Sequence, residues 1–156
     1  MLATLRDATD RAAIEARLAA ITPEHQRRWG RMTAPQMICH LTDSFKSVLG
    51  ERTSTRPPRP APLLGRTVLK WASMFTPIPW PHGLRTAAMV DPERGGTPPA
   101  EFERDVAELR AAIERFVREL PAMSKRSHFV FGKLTEWEWA RWAWRHMNHH
   151  LRQFGE

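Results

Sequence analysis

A stretch rich in tryptophan and histidine, residues 135–154, most constrains what this sequence can fold into. It holds four of the seven tryptophans and three of the seven histidines. It opens with the spacing of a capping box, in which Thr135 and Glu138 each satisfy a free backbone N–H at a helix start. The stretch is therefore predicted to be one helix whose aromatic side chains pack in the core.

A helical wheel sorts the side chains of this stretch into two faces. At about 100° per residue, Trp142, His150 and Gln153 fall within about 40° of His146, and His149 lies about 60° to one side. The arginines occupy the far side. His146 and His150 are thus predicted to point inward as an i, i+4 pair, and two imidazoles at this spacing can bind one metal ion.

A second capping box, formed by Thr33 and Gln36, predicts another helix, which ends near Gly50. His40 lies on this helix, at the border between its apolar side and a polar seam that includes Asp43. Borders of this kind line clefts, where a bound ion keeps positions open for water or substrate. His40 is therefore the candidate partner of the pair on the last helix.

Two interpretations of His40, His146 and His150 remain open at this stage. Together they would supply three neutral nitrogen ligands of the kind that zinc or a similar divalent ion prefers. Alternatively they are structural, because a histidine on an apolar face is usually a hydrogen-bonded core residue. In that case the protein would be a non-catalytic helical bundle that serves in protein association.

Four neighbouring residues are candidates for a supporting role. Asp43 is one turn from His40 and could orient it or add an oxygen ligand, or it could be solvated or cap a backbone group. Gln153 could orient a ligand. His149 is a rival of His150 or a group at the edge of the site, and Trp142 is predicted to pack in the core beside it.

Apolar periodicity predicts an all-α fold without a sheet, with four principal helices at residues 7–21, 33–49, 97–120 and from 135 onward. The third helix should end at Pro121. Residues 127–133 read as an extended connector, 52–62 as a proline-rich loop, 63–75 as a short apolar helix, and 76–99 as an irregular stretch. Residues 1–156 should thus form one domain, an antiparallel four-helix bundle with a long Pro-rich insertion between the second and third principal helices.

Composition restricts the choice of function. The formal charge is +7, but the arginines are scattered along helices, which argues against a nucleic-acid surface. The single cysteine, Cys39, excludes an internal disulfide and suits a reducing cytoplasm. Acidic residues in the first helix argue against a signal peptide, and no apolar run is long enough for a membrane span. We expect a soluble cytoplasmic protein.

Three motifs carry a resemblance to a known group of proteins. They are residues 29–43 (WGRMTAPQMICHLTD), 127–137 (SHFVFGKLTEW) and 144–155 (WRHMNHHLRQFG). The chain resembles the DinB-like superfamily, and within it an uncharacterised domain family whose members end in a similar His-x-x-His-His-Leu-x-Gln-Phe-Gly. The resemblance covers nearly the whole chain and is loosest in the proline-rich middle.

The resemblance implies an up-down-down-up four-helix bundle, often a homodimer, with a divalent metal ion such as nickel or zinc. The ligands of that ion correspond by position to His40, His146 and His150. Characterised relatives use the ion for chemistry that depends on a low-molecular-weight thiol. The expected function is therefore that of a metal-dependent thiol S-transferase or hydrolase that acts on a small molecule.

Overall fold

The computed structural model describes residues 2–52, 63–83 and 85–156, and these are mostly α-helical. The predicted all-α class is confirmed at this level. The described residues form five α-helices: α1 (Ala8–Ala20), α2 (Ala34–Val48), α3 (Leu63–Phe75), α4 (Phe102–Met123) and α5 (Glu136–Gln153). They also form a 3-10 turn (Ala88–Val90) and a two-stranded antiparallel sheet of β1 (Ser127–His128) and β2 (Gly132–Lys133).

Both predicted capping boxes are present and fix the starts of the two helices that carry the candidate site. The backbone N–H of Thr33 donates to Gln36 Oε1 at 2.9 Å, and that of Thr135 donates to Glu138 Oε2 at 2.8 Å. Each threonine hydroxyl in turn accepts from the backbone N–H three residues later. The starts of α2 and α5 are thus set by local sequence.

The core lies where α2, α4 and α5 meet. Phe45 of α2 packs edge-on against Phe116 of α4, with ring centroids 5.2 Å apart, and both contact Trp142 of α5. Trp139 is fully buried beside them. Full burial of one such side chain contributes about 1.5–3 kcal/mol, so this aromatic group holds the helices that carry the histidines. The helix α1 packs on α5, and α3 covers another part of α5.

The third principal helix differs from its prediction at both ends. It begins at Phe102 rather than near residue 97, because the side chain of Glu101 caps it and Thr97 bonds to Asp43 instead. Pro121 lies inside the helix and does not end it. A proline removes one backbone hydrogen bond, but Met123 is fully buried, and its packing keeps the chain helical past the proline.

The stretch predicted as an extended connector without a sheet forms a small hairpin. Ser127 pairs with Lys133 and His128 with Gly132. The His128 ring closes the turn, because its Nδ1 accepts from the backbone N–H groups of Val130 at 3.1 Å and Phe131 at 3.3 Å. A local side-chain acceptor thus stabilises a pairing too short for periodicity to reveal.

The irregular stretch 76–99 contains no long element within its described residues, as predicted, and it packs on α2 through the 3-10 turn. Asp91 organises this part. Its buried side chain accepts from Arg31, Arg94 and the backbone N–H of Glu93. This arrangement places the carbonyl of Val90 against α2. The loop predicted for 52–62 lies almost entirely outside the described residues.

Two of the three arginines on α5 are not solvated, although Arg152 is exposed. Arg141 and Arg145 are 3% and 6% exposed. The last turn of α3, the segment after it and the residues before α1 cover them, and backbone carbonyl oxygens there accept hydrogen bonds from both guanidinium groups. The wheel placed these side chains away from the histidines but could not show that another layer covers them.

Within the three described ranges, no helix combines the length and the apolar character that crossing a membrane requires.

The hairpin histidine gives a testable pH dependence. Burial lowers the pKa of His128 to about 3. Because the unfolded chain then takes up the proton first, stability is full above about pH 6.5 and is lost as the pH falls toward about 3. At about pH 5 this residue should lower the free energy of unfolding by about 2 kcal/mol relative to neutral pH.

The variant His128→Asn keeps an acceptor for the turn and removes the titration. We expect its stability relative to wild type to improve by about 2 kcal/mol between about pH 7.5 and pH 5, measured by urea unfolding at each pH. A stability difference that does not change with pH would contradict this account.

Candidate metal centre

Three histidines from two helices converge in the structure, and we call His40, His146 and His150 the histidine cluster. One nitrogen of each lies within 4.8 Å of the others. The Nε2 atoms of His40 and His146 are 3.2 Å apart. His40 is buried on α2, whereas His146 and His150 on α5 are partly exposed. The structure thus brings together the three residues that sequence reasoning selected.

The orientation of His40 is set by a backbone carbonyl. Its Nδ1 lies 2.7 Å from the carbonyl oxygen of Val90. A carbonyl oxygen only accepts hydrogen bonds, so Nδ1 carries the proton and donates. In the neutral ring, Nε2 then carries a free lone pair, and this is the atom that faces His146.

A chain of two hydrogen bonds sets the orientation of His150. The amide nitrogen of Gln153 donates to the carbonyl oxygen of Trp29 at 2.8 Å. The amide oxygen of Gln153 therefore faces His150 and accepts from its Nδ1 at 3.0 Å. In the neutral His150 ring, Nε2 again carries the free lone pair. Two of the three histidines thus have the same tautomer for the same reason.

Gly30 makes this chain of hydrogen bonds sterically feasible. Its φ is +74°, in the left-handed region that favours glycine. A Cβ atom at this position would lie 2.6 Å from Nε2 of Gln153. The glycine therefore serves two purposes, because it permits the turn and lets the Gln153 amide approach the backbone.

His146 lacks a hydrogen-bond partner at its other nitrogen. Its Nδ1 is buried and has no partner among the described residues. Packing orients the ring instead, with Trp142 at 5.4 Å and Trp80 at 6.0 Å between ring centroids. The side chain is therefore held in place against the two histidines whose lone pairs are aligned.

All three rings of the cluster favour the neutral state. Burial lowers the pKa of His40, although the hydrogen bond to Val90 opposes the shift. Burial, and then the neighbouring histidines, lower the pKa of His146 and of His150 well below the ordinary value. Neutral imidazole is the form that binds a metal ion, so the rings are in the state that ligation needs.

The donor set fits a divalent ion such as zinc. Two imidazole nitrogens at about 2.0–2.1 Å from one tetrahedral ion lie about 3.3 Å apart, and the observed separation of 3.2 Å is close to that. Three imidazole ligands suit zinc, nickel and similar ions, and leave positions for water or substrate. The histidine cluster can hold such an ion.

Asp43 binds a backbone N–H group, which is one of the roles left open for it, and it is not solvated. It is fully buried, and its carboxylate accepts from Arg52 at 2.7 Å and from the N–H and hydroxyl of Thr97 at 2.6 and 2.9 Å. Its oxygens therefore tie the segment before α4 to α2. The structure shows Asp43 as an anchor for the chain around the site rather than as a group that contacts His40.

The remaining predicted residues surround the cluster. Gln153 contacts His150, and Trp142 packs against His146. His149 lies to one side, with its ring 5.1 Å from that of His150, and lines an adjoining cavity of about 240 Å³. Burial lowers the pKa of His149 to about 4.

Sequence reasoning missed three groups that orient the histidines. Two of them, the carbonyl oxygens of Val90 and Trp29, are backbone atoms, for which no residue type gives a signal. The third is Gly30, directly after Trp29 in the motif at residues 29–43. A glycine before a capping box is the one signal that could have pointed to a close approach of the backbone.

The fold and the site define an all-α protein with a partly buried three-histidine cluster that can hold a metal ion. The chain belongs to the family described as "Protein of unknown function (DUF1569)", whose profile matches residues 7–156. Neither a curated protein nor a solved structure gives a match to the chain.

The variant Gly30→Ala tests the chain of hydrogen bonds to His150. Gly83 is a matched control, because its φ is also +74° but a Cβ there would meet no described atom within 4 Å. We expect Gly83→Ala to lose about 1–2 kcal/mol of stability from backbone strain alone. Gly30→Ala should lose about 1 kcal/mol more, because it also displaces the Gln153 amide.

The nitrogen chemical shifts of His150 give a second readout, since they distinguish the two tautomers. Gly30→Ala should give a mixture of tautomers, and Gly83→Ala should leave the wild-type tautomer. Equal losses of stability and unchanged shifts in both variants would show that Gln153 does not set the orientation of His150.

Proposed function

We propose that the protein is a DinB-like metal-dependent enzyme that acts on a small molecule. In this proposal α1, α2, α4 and α5 are the four helices of an up-down-down-up bundle, and the segment between α2 and α4 is the Pro-rich insertion. The packing of α2 on α4, of α4 on α5 and of α1 on α5 supports this arrangement. The resemblance of the sequence motifs points to the same class.

One observation carries the proposal. Two of the three histidines donate from Nδ1 to a carbonyl oxygen, and both therefore direct an Nε2 lone pair into the cluster. Lone pairs that face one another repel unless a proton or a cation lies between them. Residues outside the cluster thus hold the rings in the arrangement that a cation stabilises.

In this proposal His40, His146 and His150 hold a nickel or zinc ion. When bound, the ion would lower the pKa of a thiol or water that it ligates, so that this group becomes a nucleophile at neutral pH. The carbonyl of Val90 and the amide of Gln153 keep the ligand nitrogens unprotonated. Trp80 and Trp142 cover the cluster and limit the access of water.

The reaction class that best suits this site is thiol S-transfer or hydrolysis. The protein's part is to hold the ion on three neutral ligands and to admit a small substrate beside it. The cavity lined by His149 is the place for that substrate. A low-molecular-weight thiol would be the co-substrate of the transferase reaction.

Metal content and chelation test the proposal. Protein purified without a nickel column should contain close to one divalent ion per chain by elemental analysis. Binding to the folded state adds about 2.7 kcal/mol at a free-ion concentration about 100 times the Kd, so chelation should lower the Tm. Sub-stoichiometric metal and a Tm that chelation leaves unchanged would refute the proposal.

His146→Ala separates ligation from packing, with His149→Ala as the matched control on the same helix. If His146 is a ligand, the variant should be much less stable than metal-bound wild type. Much of that difference in stability should disappear when the comparison is made with wild type stripped of its ion. His149→Ala should retain the metal. A loss at His146 of equal size with and without metal would mean that the histidines are structural.

A second candidate function, self-association as a homodimer, has its own supporting observation. The helix α3 exposes large apolar side chains along one side, with Leu64, Val68, Trp71 and Phe75 between 40% and 78% exposed. These positions recur every three or four residues, so they form one stripe on the helix. An apolar stripe of this kind fits the same stripe on a second copy.

Light scattering after gel filtration tests the dimer. The wild type should have the mass of two chains, and Trp71→Gln should shift it toward one. Phe129→Ser, which changes an exposed aromatic outside α3, should leave the mass unchanged. A monomeric wild type at high concentration would dismiss self-association as the role of this stripe.

A further inference from the structure

The cavity of about 240 Å³ beside the histidine cluster has an unbalanced charge. Arg141, Arg145 and Arg152 line it, and no acidic side chain among the described residues does. His149 also lines it and contacts His150, so the cavity and the cluster share a wall. A concave site with three cations and no anion attracts negatively charged molecules.

Neutral backbone oxygens, rather than carboxylates, accept the hydrogen bonds of two of these arginines. Arg141 donates to the carbonyl oxygens of Met74 at 2.9 Å and Ala3 at 2.7 Å, and Arg145 donates to two carbonyls that follow α3. These neutral acceptors fix the guanidinium groups but do not cancel their positive charge, and the charge of Asp10 offsets that of Arg141 only in part. Among the described residues, no ion pair is formed by Arg152, which is exposed.

The pKa of Arg141 reflects the burial of these positive charges close to one another. Burial, and then the charge of Arg145, lower its pKa to about 10. The group remains protonated at neutral pH, so each guanidinium keeps its charge next to another. A bound anion would offset this repulsion between neighbouring guanidinium groups.

Aromatic rings form the rest of the wall. Trp29, Trp80 and Trp144 line the cavity. Trp29 stacks on His82 with centroids 4.0 Å apart and planes 9° from parallel, and Trp144 lies 5.1 Å from the guanidinium carbon of Arg141. Flat aromatic walls favour a flat or apolar body, and arginines held against them favour an attached carboxylate or phosphonate.

We propose that this cavity binds a small organic anion, a carboxylate or phosphonate attached to a flat apolar body. The arginines hold the anionic group, the tryptophans hold the body, and His149 forms the side of the cavity next to the histidine cluster. The inference rests on the proposed function in one respect only: if the protein is an enzyme, this anion is its class of substrate. Binding itself requires the cavity alone.

Calorimetry with benzoate and phenylphosphonate tests the inference, with uncharged benzyl alcohol as the matched ligand. Both anions should bind, and benzyl alcohol should bind at least about tenfold more weakly. Arg152→Gln should weaken anion binding about fivefold, as expected for one partly solvated ion pair. Arg104→Gln removes an exposed arginine that does not line the cavity, and it should have no effect.

The same titrations on chelated protein separate this inference from the proposed function. Anion binding that survives chelation and falls in Arg152→Gln supports the cavity, even if the protein proves to hold no metal. Binding that chelation abolishes and Arg152→Gln leaves unchanged would place the anion on the ion and overturn the inference. Equal binding of benzoate and benzyl alcohol would also overturn it.

Discussion

Two backbone carbonyl oxygens, those of Val90 and Trp29, decide which nitrogens of the histidine cluster face each other. The Val90 oxygen accepts a hydrogen bond from Nδ1 of His40. The Trp29 oxygen accepts one from the amide of Gln153, which in turn accepts from Nδ1 of His150. Both carbonyls lie outside the α-helices, one at the end of the 3-10 turn and the other in the segment before α2. The site therefore depends on how these two segments are fixed against α2 and α5.

Buried carboxylates supply much of that fixation. Asp91 gathers Arg31, Arg94 and the backbone N–H of Glu93 next to the 3-10 turn. Burial alone would raise the pKa of Asp91, but these hydrogen bonds and charges outweigh it and the pKa lies below its ordinary value. Asp43 binds the far end of the same segment at Thr97. The carbonyl of Val90 directly precedes Asp91, so its position follows from carboxylates whose hydrogen bonds go to groups other than the histidines.

Short-range signals account for what the sequence could predict. Thr33 with Gln36 and Thr135 with Glu138 form the capping boxes that their spacing predicts, and His146 and His150 share a face because they are one turn apart. The approach of His40 to that pair follows from packing two amphipathic helices with apolar faces. The resemblance to a known superfamily selected the same three residues independently of the wheel.

What the sequence could not show depends on partners that are distant along the chain. Asp43 finds Thr97 fifty-four residues later, and nothing near Asp43 indicates that pairing. Arg141 looks solvated on a wheel, yet backbone carbonyls elsewhere satisfy it in the interior. Pro121 predicts a helix end because proline lacks the backbone N–H that a helix interior needs. The helix continues because Met123, two residues later, is buried in the core.

The environment of Cys39 limits where any sulfur chemistry could come from. It is the only cysteine of the chain, it is buried, and its thiol lies 3.7 Å from a carboxylate oxygen of Asp105. Burial, and then the charge of Asp105, raise the pKa of the thiol to about 12. At neutral pH it carries almost no thiolate, which is the reactive form. A sulfur nucleophile at the histidine cluster would therefore have to be a thiol that diffuses in from solution. The thiol of Cys39 would not compete with it for an ion or an electrophile.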